Sequence, residues 1–558
     1  SRMSVRFRRP TGLAAVLAAA LLLAGCAGIP TSGPVVAGPA VDEVDPEYIV
    51  TPNGPAADAD PLGILTGFMQ AVRAPQSDYA VARQFLTPDL AVSWDPNAGV
   101  VIRTGAAVLS TPESASEDRP VIEYSFSTPA TVDTVGRYRA SAMAANRTID
   151  FAFTQVDGQW RISEAPNGIV LADTAFVQVF SAYALYFFDP SGRYLVPDLR
   201  WFPARQSTPG LVVSALLAGP DDWLKHAVVT DFPRGTTLGT RSVVVTGGRA
   251  AVDLSPEVAS ASPAELGRMR QQLVATLDVA DASITADGVP LAIESSGPAA
   301  VIDPQPSGSL LLGTATEFGH AGPDGIVTIP GVSSAVVEDG ARAVSLNAGQ
   351  TAAAYLAADG TVRRVSGDAV TVVDARPGLV APSIDEYGWT WSAGTGSPLD
   401  AFDPSGASAG ISPSALPPDA TVVSLAVSRD STRLAVGLTS PAGPRLLVFG
   451  IIRSDGVPTG LDPSLELPAP GVIASVAWVN DRSLVVVADS AGVRSARVVG
   501  IGGPGESIGA LPPGAVAVGG RGGVSGVRAI AEGIVLAPGG NDGWSEAGFT
   551  AEFLGVQQ

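Results

Sequence analysis

The sequence predicts a multidomain fold in which two α+β domains are followed by an all-β propeller of five to six blades. The chain has 558 residues, which at roughly 100–200 residues per domain corresponds to several separate cores. Its 63 glycines and 46 prolines favour short strands and tight turns over long helices. In the C-terminal part, short apolar strands recur at the spacing of propeller blades.

Composition and charge exclude several classes of function. The chain has 54 acidic and 34 basic residues, a formal net charge of −20, so it lacks the basic surface that a nucleic-acid partner requires. One cysteine, Cys26, cannot form an intramolecular disulfide, and only two histidines, His226 and His320, accompany it. Such a set does not supply a His/Cys metal site. We therefore expect no metal, no cofactor and no nucleic acid.

The first residues predict export from the cell. Four arginines precede an uncharged apolar run from Leu13 to Ala24. That run is shorter than the ~20 residues that span a bilayer, but it is typical of a secretory signal peptide, here residues 1–25. The alternative is an uncleaved apolar helix with a buried cysteine.

The sequence Leu23-Ala24-Gly25-Cys26 resembles a bacterial lipobox. The resemblance implies lipidation of Cys26, which becomes the first mature residue and carries a diacylglyceryl group on its thiol. Two or more acyl chains give stable anchoring, whereas an acidic chain is not attracted to anionic lipid. We expect the mature protein on the outer face of the cell membrane, bound to membrane lipid through Cys26.

A tether and an α+β domain are predicted next. Residues 26–60 contain six prolines after Cys26 and no helical period, as in an extended tether; a strand lying on a domain is the alternative. In residues 61–172, Leu62–Val72 has a helical apolar stripe and Asp157-Gly158 marks a hairpin turn. Helices followed by a hairpin sheet that closes on D-G-x-W-R-I resemble the cone-shaped domains of nuclear-transport-factor-2 (NTF2-like) type. Such cones can hold a ligand.

Residues 173–303 contain a second α+β domain. Helices are predicted at Leu211–Leu217, which Gly219-Pro220 ends, and at Pro263–Leu277, which has one apolar stripe. A D-P-x-G turn at 189–192, L-L-x-G-P at 216–220 and V-D-L-S at 252–255 resemble the GerMN domain of germination and sporulation proteins. The resemblance implies a binding module. His226, just past the Gly-Pro stop, is expected to be structural or exposed.

Residues 304–558 repeat a pattern in which six residues separate the end of one short strand from the start of the next. The repeat positions lie 38, 45 and 50 residues apart, at Ser345, Ser383, Ser428 and Trp478. Propeller blades are about 40–50 residues long and contain four strands. The spacing therefore predicts five to six blades, with a pair of β-sandwiches as the alternative.

Three motifs suggest chemistry that their surroundings do not support. Gly406–Gly410 fits G-x-S-x-G, but no histidine follows Ser408, and a hydrolase needs a strand–turn–helix there. Gly500–Gly505 fits G-x-G-x-x-G, but no helix can follow it to bind a pyrophosphate. The carboxylate pairs Asp221-Asp222 and Asp385-Glu386 are expected to be solvated turn residues. No catalytic residue is predicted.

The order of lipobox, N-terminal domain, GerMN domain and propeller resembles the LpqB family of actinobacterial lipoproteins. The resemblance implies a membrane-anchored accessory protein that modulates a two-component sensor histidine kinase. Its expected partner is the extracellular domain of MtrB, the kinase of the MtrA–MtrB system. A lipoprotein that binds a ligand or the cell wall is the alternative, and a propeller hydrolase is a further one.

Overall fold

The computed structural model describes residues 52–113, 115–239, 243–294, 297–411, 416–417, 419–539 and 543–558. Cys26 and nearly all of the predicted tether lie outside the described residues. Within these ranges, none of the helices is both long enough and apolar enough to cross a membrane. The described residues form one compact unit.

The first domain combines short helices with a curved five-stranded sheet of order β4-β3-β2-β1-β5. All pairs are antiparallel except β1 with β5. Short 3₁₀ turns occupy Gln76–Asp78 and Pro96–Ala98. The elements are α1 (Pro61–Ala71), α2 (Ala80–Arg83), α3 (Pro88–Ser93), β1 (Val100–Ser110), β2 (Val121–Val132), β3 (Tyr138–Val156), β4 (Gln159–Glu164), β5 (Ile169–Ala172) and α4 (Asp173–Val179).

Helix α1 begins where the sequence provides a cap. The carboxylate of Asp60 accepts a hydrogen bond from the Gly63 N–H at 2.7 Å, and Pro61 occupies the first helical position. The helix buries Ile64, Leu65, Phe68 and Ala71 against the sheet, whereas Leu62 is exposed. The prediction that Leu62 belongs to the buried stripe is wrong, because the stripe begins one turn later at Ile64 and Leu65.

The second domain has two small sheets and two helices. The β6–β7 hairpin also pairs with β12, and the other sheet has the order β11-β10-β9-β8. Helix α6 has the predicted bounds and begins with a capping box between Ser262 and Glu265. A 3₁₀ turn occupies Pro256–Ser260. The elements are β6 (Phe180–Phe188), β7 (Tyr194–Pro203), α5 (Thr208–Ala218), β8 (Val244–Thr246), β9 (Arg249–Leu254), α6 (Pro263–Leu277), β10 (Asp281–Ala286), β11 (Val289–Pro290) and β12 (Val301–Ile302).

The third domain is a six-bladed propeller, with strands β13 to β36 and one short helix. A 3₁₀ turn lies at Gly523–Gly526. The elements are β13 (Leu311–Gly313), β14 (Phe318–Gly322), β15 (Gly325–Thr328), α7 (Ser333–Glu338), β16 (Ala343–Leu346), β17 (Ala352–Leu356), β18 (Val362–Ser366), β19 (Ala369–Asp374), β20 (Ser383–Ile384), β21 (Thr390–Gly394), β22 (Ser397–Phe402), β23 (Thr421–Val427), β24 (Arg433–Ser440), β25 (Gly443–Ser454), β26 (Val457–Leu461), β27 (Leu465–Leu467), β28 (Val472–Asn480), β29 (Ser483–Ser490), β30 (Val493–Gly500), β31 (Glu506–Ala510), β32 (Val516–Val518), β33 (Arg528–Ala531), β34 (Ile534–Gly539), β35 (Gly543–Thr550) and β36 (Phe553–Gln557).

The last strand closes the ring of blades. Strand β36 pairs antiparallel with β13, so it becomes the inner strand of the blade that β13, β14 and β15 begin. It also pairs in parallel with β16, the inner strand of the next blade. The other inner strands are β20, β23, β28 and β32, and each begins its own sheet. The predicted fold class is confirmed, and the number of blades is six.

The three domains share hydrophobic cores. Phe180 and Trp201, from the β6–β7 hairpin of the second domain, are buried in the core of the first. The core of the second domain continues between two propeller blades through residues such as Val448 and Ile501. Because burial of apolar surface drives both folding and association, these shared cores join the domains into one body.

Candidate functional site

The D-P-x-G turn between β6 and β7 connects the second domain to the propeller. The carboxylate of Asp189 accepts hydrogen bonds from the Tyr194 N–H at 2.7 Å and from the Ser191 hydroxyl at 2.5 Å. It also accepts one from the Tyr387 hydroxyl of the propeller at 3.2 Å. Asp189 is 1% exposed, so the motif that suggested the GerMN resemblance is part of an interdomain contact.

Tyr387 rests on a buried ion pair inside the propeller. The Arg453 guanidinium lies 4.4 Å from the Tyr387 ring centroid and donates to the Asp385 carboxylate at 2.5 Å. Asp385 also accepts hydrogen bonds from the Trp391 indole N–H and the Trp389 backbone N–H, both at 2.9 Å. The prediction that Asp385 is a solvated turn residue is wrong, because these three donors pair its carboxylate in the interior.

His226 belongs to a second contact between the same two domains. Its Nδ1 lies 2.6 Å from an oxygen of Asp462, whose other oxygen accepts the backbone N–H groups of His226 and Ala227. The Asp462 side chain is fully buried, whereas that of His226 is 61% exposed. Beside them the Gly450 N–H donates to the Trp223 carbonyl at 3.0 Å, and a Cβ on Gly450 would lie 2.8 Å from that oxygen. The arrangement is a docking contact, as expected for a structural histidine.

Asp221 connects the first and second domains. Its carboxylate lies 2.5 Å from Arg139 and 3.2 Å from Arg137, both from the first domain. Its own N–H donates to Asp198 at 2.7 Å. Asp221 is 3% exposed, so it too is not the solvated turn residue that the sequence predicts. Its neighbour Asp222 is exposed, as predicted.

The glycine-rich motif at 500–505 is a domain contact and does not open a helix. Gly500 ends β30 and Glu506 begins β31. Between them the Gly502 carbonyl accepts a hydrogen bond from the Trp201 indole N–H at 2.8 Å. The motif therefore lacks the helix N-terminus that a dinucleotide pyrophosphate requires.

The G-x-S-x-G motif also lacks the hydrolase context. Ser408 follows strand β22 and donates its hydroxyl hydrogen to the Asp400 carboxylate at 2.5 Å. His226 is paired with Asp462, and both ring nitrogens of His320 contact oxygens, of Ser309 and Gln350. Among the described residues no group of three or more metal-ligating side chains could hold a metal ion.

A buried acidic cluster lies where the chain enters the propeller. The Asp481 N–H donates to the Asp303 carboxylate at 2.9 Å, and Arg433 pairs with Asp430 and donates to the Asp481 carbonyl. Both oxygens of the Asp481 carboxylate are buried without a hydrogen bond to any described residue, although Arg482 lies 3.3 Å away. Burial raises the pKa of Asp481 to about 6; the Arg433 charge opposes the rise and the Asp303 charge adds to it.

The propeller axis contains a cavity of about 280 Å³, which all six inner strands line. Neighbouring inner strands are tied together by serine side chains. The hydroxyl oxygens of Ser345, Ser383, Ser424 and Ser475 accept the backbone N–H groups of Ile384, Val427, Val476 and Ala517, respectively, at 3.0–3.1 Å. The Gln558 carboxamide donates to both Ser345 and Ser383. These bonds satisfy N–H groups that would otherwise face the channel unpaired.

The second domain contacts one end of this channel. Its contacts with Tyr387 and Asp481 lie in the loops that follow the inner strands β20 and β28. The opposite face is formed by the loops that precede the inner strands. The sequence singled out His226, Asp189 and Asp221 one by one, but it could not show that they lie at domain interfaces.

Comparison with known families assigns each domain in turn. Residues 54–177 match the family described as lipoprotein LpqB, N-terminal domain. Residues 184–292 match the domain family described as sporulation and spore germination. Residues 320–552 match the family described as lipoprotein LpqB beta-propeller domain. This chain belongs to the LpqB family of lipoproteins.

Individual members of the LpqB family are 26% to 37% identical to this chain over the residues that align. LpqB of Cutibacterium acnes is 34% identical over 48% of this chain and 45% of its own length, so the chain spans less than half of that relative. LpqB of Bifidobacterium longum is 26% identical over 84% of both chains, and LpqB of Mycolicibacterium smegmatis is 29% identical over 74% of this chain and 76% of its own.

The solved structures that match are distant. Hydrazine synthase of Kuenenia stuttgartiensis aligns with 37% of this chain and 66% of its own, at 12% identity and a TM-score of 0.26. A score this low supports no statement about function.

Proposed function

We propose that this LpqB-family chain is an exported, lipid-anchored accessory protein that modulates a sensor histidine kinase by binding its extracellular domain. The observation that carries the proposal is the rigid union of the three domains through buried carboxylates and shared cores. A rigid body presents its surface loops in a fixed arrangement, which suits recognition of a protein partner. The partner class, with MtrB as its example, comes from the family resemblance.

Membrane anchoring supports the same proposal. A lipid on Cys26 would confine the protein to the membrane that holds the kinase, which raises the effective concentration of each for the other. A contact too weak to persist in solution could then act in signalling. The paired state of Ser408 and His226 favours binding over the alternative of a propeller hydrolase.

In-membrane crosslinking tests the partner and locates the binding face. A photoreactive residue would replace Val372, on the outer propeller strand β19, or Val245, on the edge strand β8 of the second domain; both are at least 40% exposed. Val92 of the first domain, 88% exposed, serves as the third position. Capture of a histidine kinase's extracellular domain from one position and not the others supports the proposal. Efficient crosslinking to other proteins from all three positions, without any kinase, would refute it.

The anchoring step needs its own test. Cys26→Ala is expected to release the folded protein and to impair kinase-dependent signalling. A released variant that supports normal signalling would leave the partner proposal standing but would contradict the role of the lipid.

A further inference from the structure

The end of the propeller channel contains a buried cation that is poorly paired. Arg429 is 6% exposed and lines the axial cavity. Its terminal nitrogens reach only the carbonyls of Val479 and Trp478, at 3.4 and 3.5 Å, and its Nε is buried without a hydrogen-bond partner among the described residues. The nearby carboxylates Asp430 and Asp481 pair with other arginines, Arg433 and Arg482 respectively. A guanidinium has five N–H donors, so most of them are available.

The electrostatics of Arg429 make this arrangement costly without a counter-ion. Burial lowers the pKa of the guanidinium, and the charge of Asp303, which lies on the side away from the channel, opposes that effect. An arginine stays charged in proteins, so the free energy of burying its charge is recovered only through an acceptor.

The rest of the cavity supplies further donors and an apolar wall. The hydroxyls of Ser345, Ser383, Ser424 and Ser475 line it; each accepts a hydrogen bond, and none donates to an acceptor among the described residues. Aliphatic side chains of the inner strands form most of the remaining surface, including Leu425 and Val476. The cavity volume of about 280 Å³ exceeds the ~150 Å³ of an engineered cavity that holds benzene.

We propose that the propeller channel binds a small organic anion, with its carboxylate or phosphate group at Arg429 and an apolar body along the aliphatic wall. The ligand enters from the face opposite the second domain, because that domain lies against the loops at the other end. The site goes beyond the proposed partner binding and does not depend on it. Excess donors and a single buried cation select an oxyanion over a cation or a neutral amine.

Calorimetric titration of the full chain in lipid nanodiscs tests the site, with empty nanodiscs as the blank. The probes are benzoate, phenyl phosphate and the neutral benzyl alcohol, which keep the apolar body and vary the head group. One or both anions should bind at least about tenfold more tightly than the alcohol, as expected for a charge-assisted hydrogen bond. Whichever anion binds identifies the head group.

Two variants and one control localise the binding. Arg429→Gln should weaken anion binding at least about tenfold; if it does not fold, Arg429→Lys keeps the charge and should weaken binding less. Val516→Trp, at the channel mouth and 38% exposed, should block access without a change in charge. Arg497→Gln removes the same charge from an exposed residue on strand β30, outside the cavity lining, and should leave binding within about threefold.

Three results would overturn the proposal. They are the absence of anion binding at millimolar concentration, an affinity for benzyl alcohol equal to that for the anions, and equal weakening of anion binding by the Arg429 and Arg497 variants. Inorganic phosphate is titrated as a fourth probe, and an affinity equal to that for phenyl phosphate would also overturn the proposal, because it would show an adventitious ion only.

Discussion

At the scale of the residue, a few buried carboxylates hold the domains and blades together. Asp189, Asp221, Asp385 and Asp462 are all buried, and each accepts at least two hydrogen bonds or ion pairs. A buried carboxylate stabilises a fold only while its partners are present, because the isolated charge is expensive to remove from water. Substitutions of the residues that pair with these carboxylates should therefore lower the free energy of unfolding more than substitutions elsewhere.

The pair Arg453–Asp385 provides the sharpest test of this argument. Both side chains are at most 1% exposed. Arg453→Ala leaves the Asp385 charge buried and removes the surface under Tyr387, so it should lower the free energy of unfolding by about 3–5 kcal/mol. Arg445→Ala breaks a pair with Glu466 that is at least 30% exposed and should cost at most about 1 kcal/mol. Chemical denaturation measures both free energies of unfolding. Equal decreases for the Arg453 and Arg445 variants would contradict the view that the buried pair stabilises the fold more than the exposed one.

The raised pKa of Asp481 predicts an unusual dependence of the stability of the fold on pH. Its pKa rises from an ordinary value of 3.8 to about 6 in the fold, so between these two pH values the folded chain binds more protons than the unfolded chain. The contribution of Asp481 to stability is therefore greatest below about pH 4, falls as the pH rises to about 6, and is constant above that.

The variant Asp481→Asn isolates this contribution. It should be more stable than the natural chain near pH 7, by up to about 3 kcal/mol, and the difference should shrink toward pH 4. Melting temperatures measured from pH 4 to 7 provide the comparison. Asp455→Asn, at an exposed hairpin turn, controls for the loss of one negative charge. A difference between Asp481→Asn and the natural chain that does not vary with pH would count against the raised pKa.

At the scale of the element, the inner strands of the propeller depend on side-chain hydrogen bonds. Ser383→Ala should leave the buried Val427 N–H unpaired and cost about 1–3 kcal/mol. Ser490→Ala, at an exposed hairpin end, should change stability by less than about 0.5 kcal/mol. Urea unfolding of both variants checks the prediction. If the Ser383 variant is as stable as the Ser490 variant, water accepts the Val427 hydrogen bond in place of the serine hydroxyl.

Local patterns predicted the elements well. Helix α6 has the predicted bounds, Gly219 ends α5, and Asp157-Gly158 forms a turn with both φ angles positive. These features depend on near neighbours in sequence, such as capping side chains and apolar periodicity. The blade repeat was visible for the same reason, since each inner strand and its neighbour lie within a few residues of each other.

The interfaces could not be predicted in this way. His226 and Asp462 are 236 residues apart in sequence, and the pairing of Asp221 with Arg139 joins different domains. A single sequence shows the residue type at each position but not which distant partner it meets. Asp221 was therefore expected to be a solvated turn residue, although the docking of the domains buries it.

At the scale of the whole molecule, the domains should behave as one cooperative unit. Cores that continue across the boundaries couple the unfolding of each domain to that of the next. Relative domain motion is the usual expectation when interfaces are small and polar. Here the apolar contacts are reinforced by Trp201 with Gly502 and by Asp462 with His226, so a single unfolding transition is expected.

Asp462→Ala should separate that transition into two. The substitution removes the acceptor for the backbone N–H groups of His226 and Ala227, and each unpaired buried donor costs about 1–3 kcal/mol. Because the loss falls on the interface and not within either core, calorimetry should show the propeller melting apart from the other two domains. Asp455→Asn, at an exposed turn of the same blade where asparagine tolerates the positive φ, should keep one transition. Two transitions in the natural chain would mean that the domains move independently, and partner binding would then depend on a flexible linkage instead of a fixed surface.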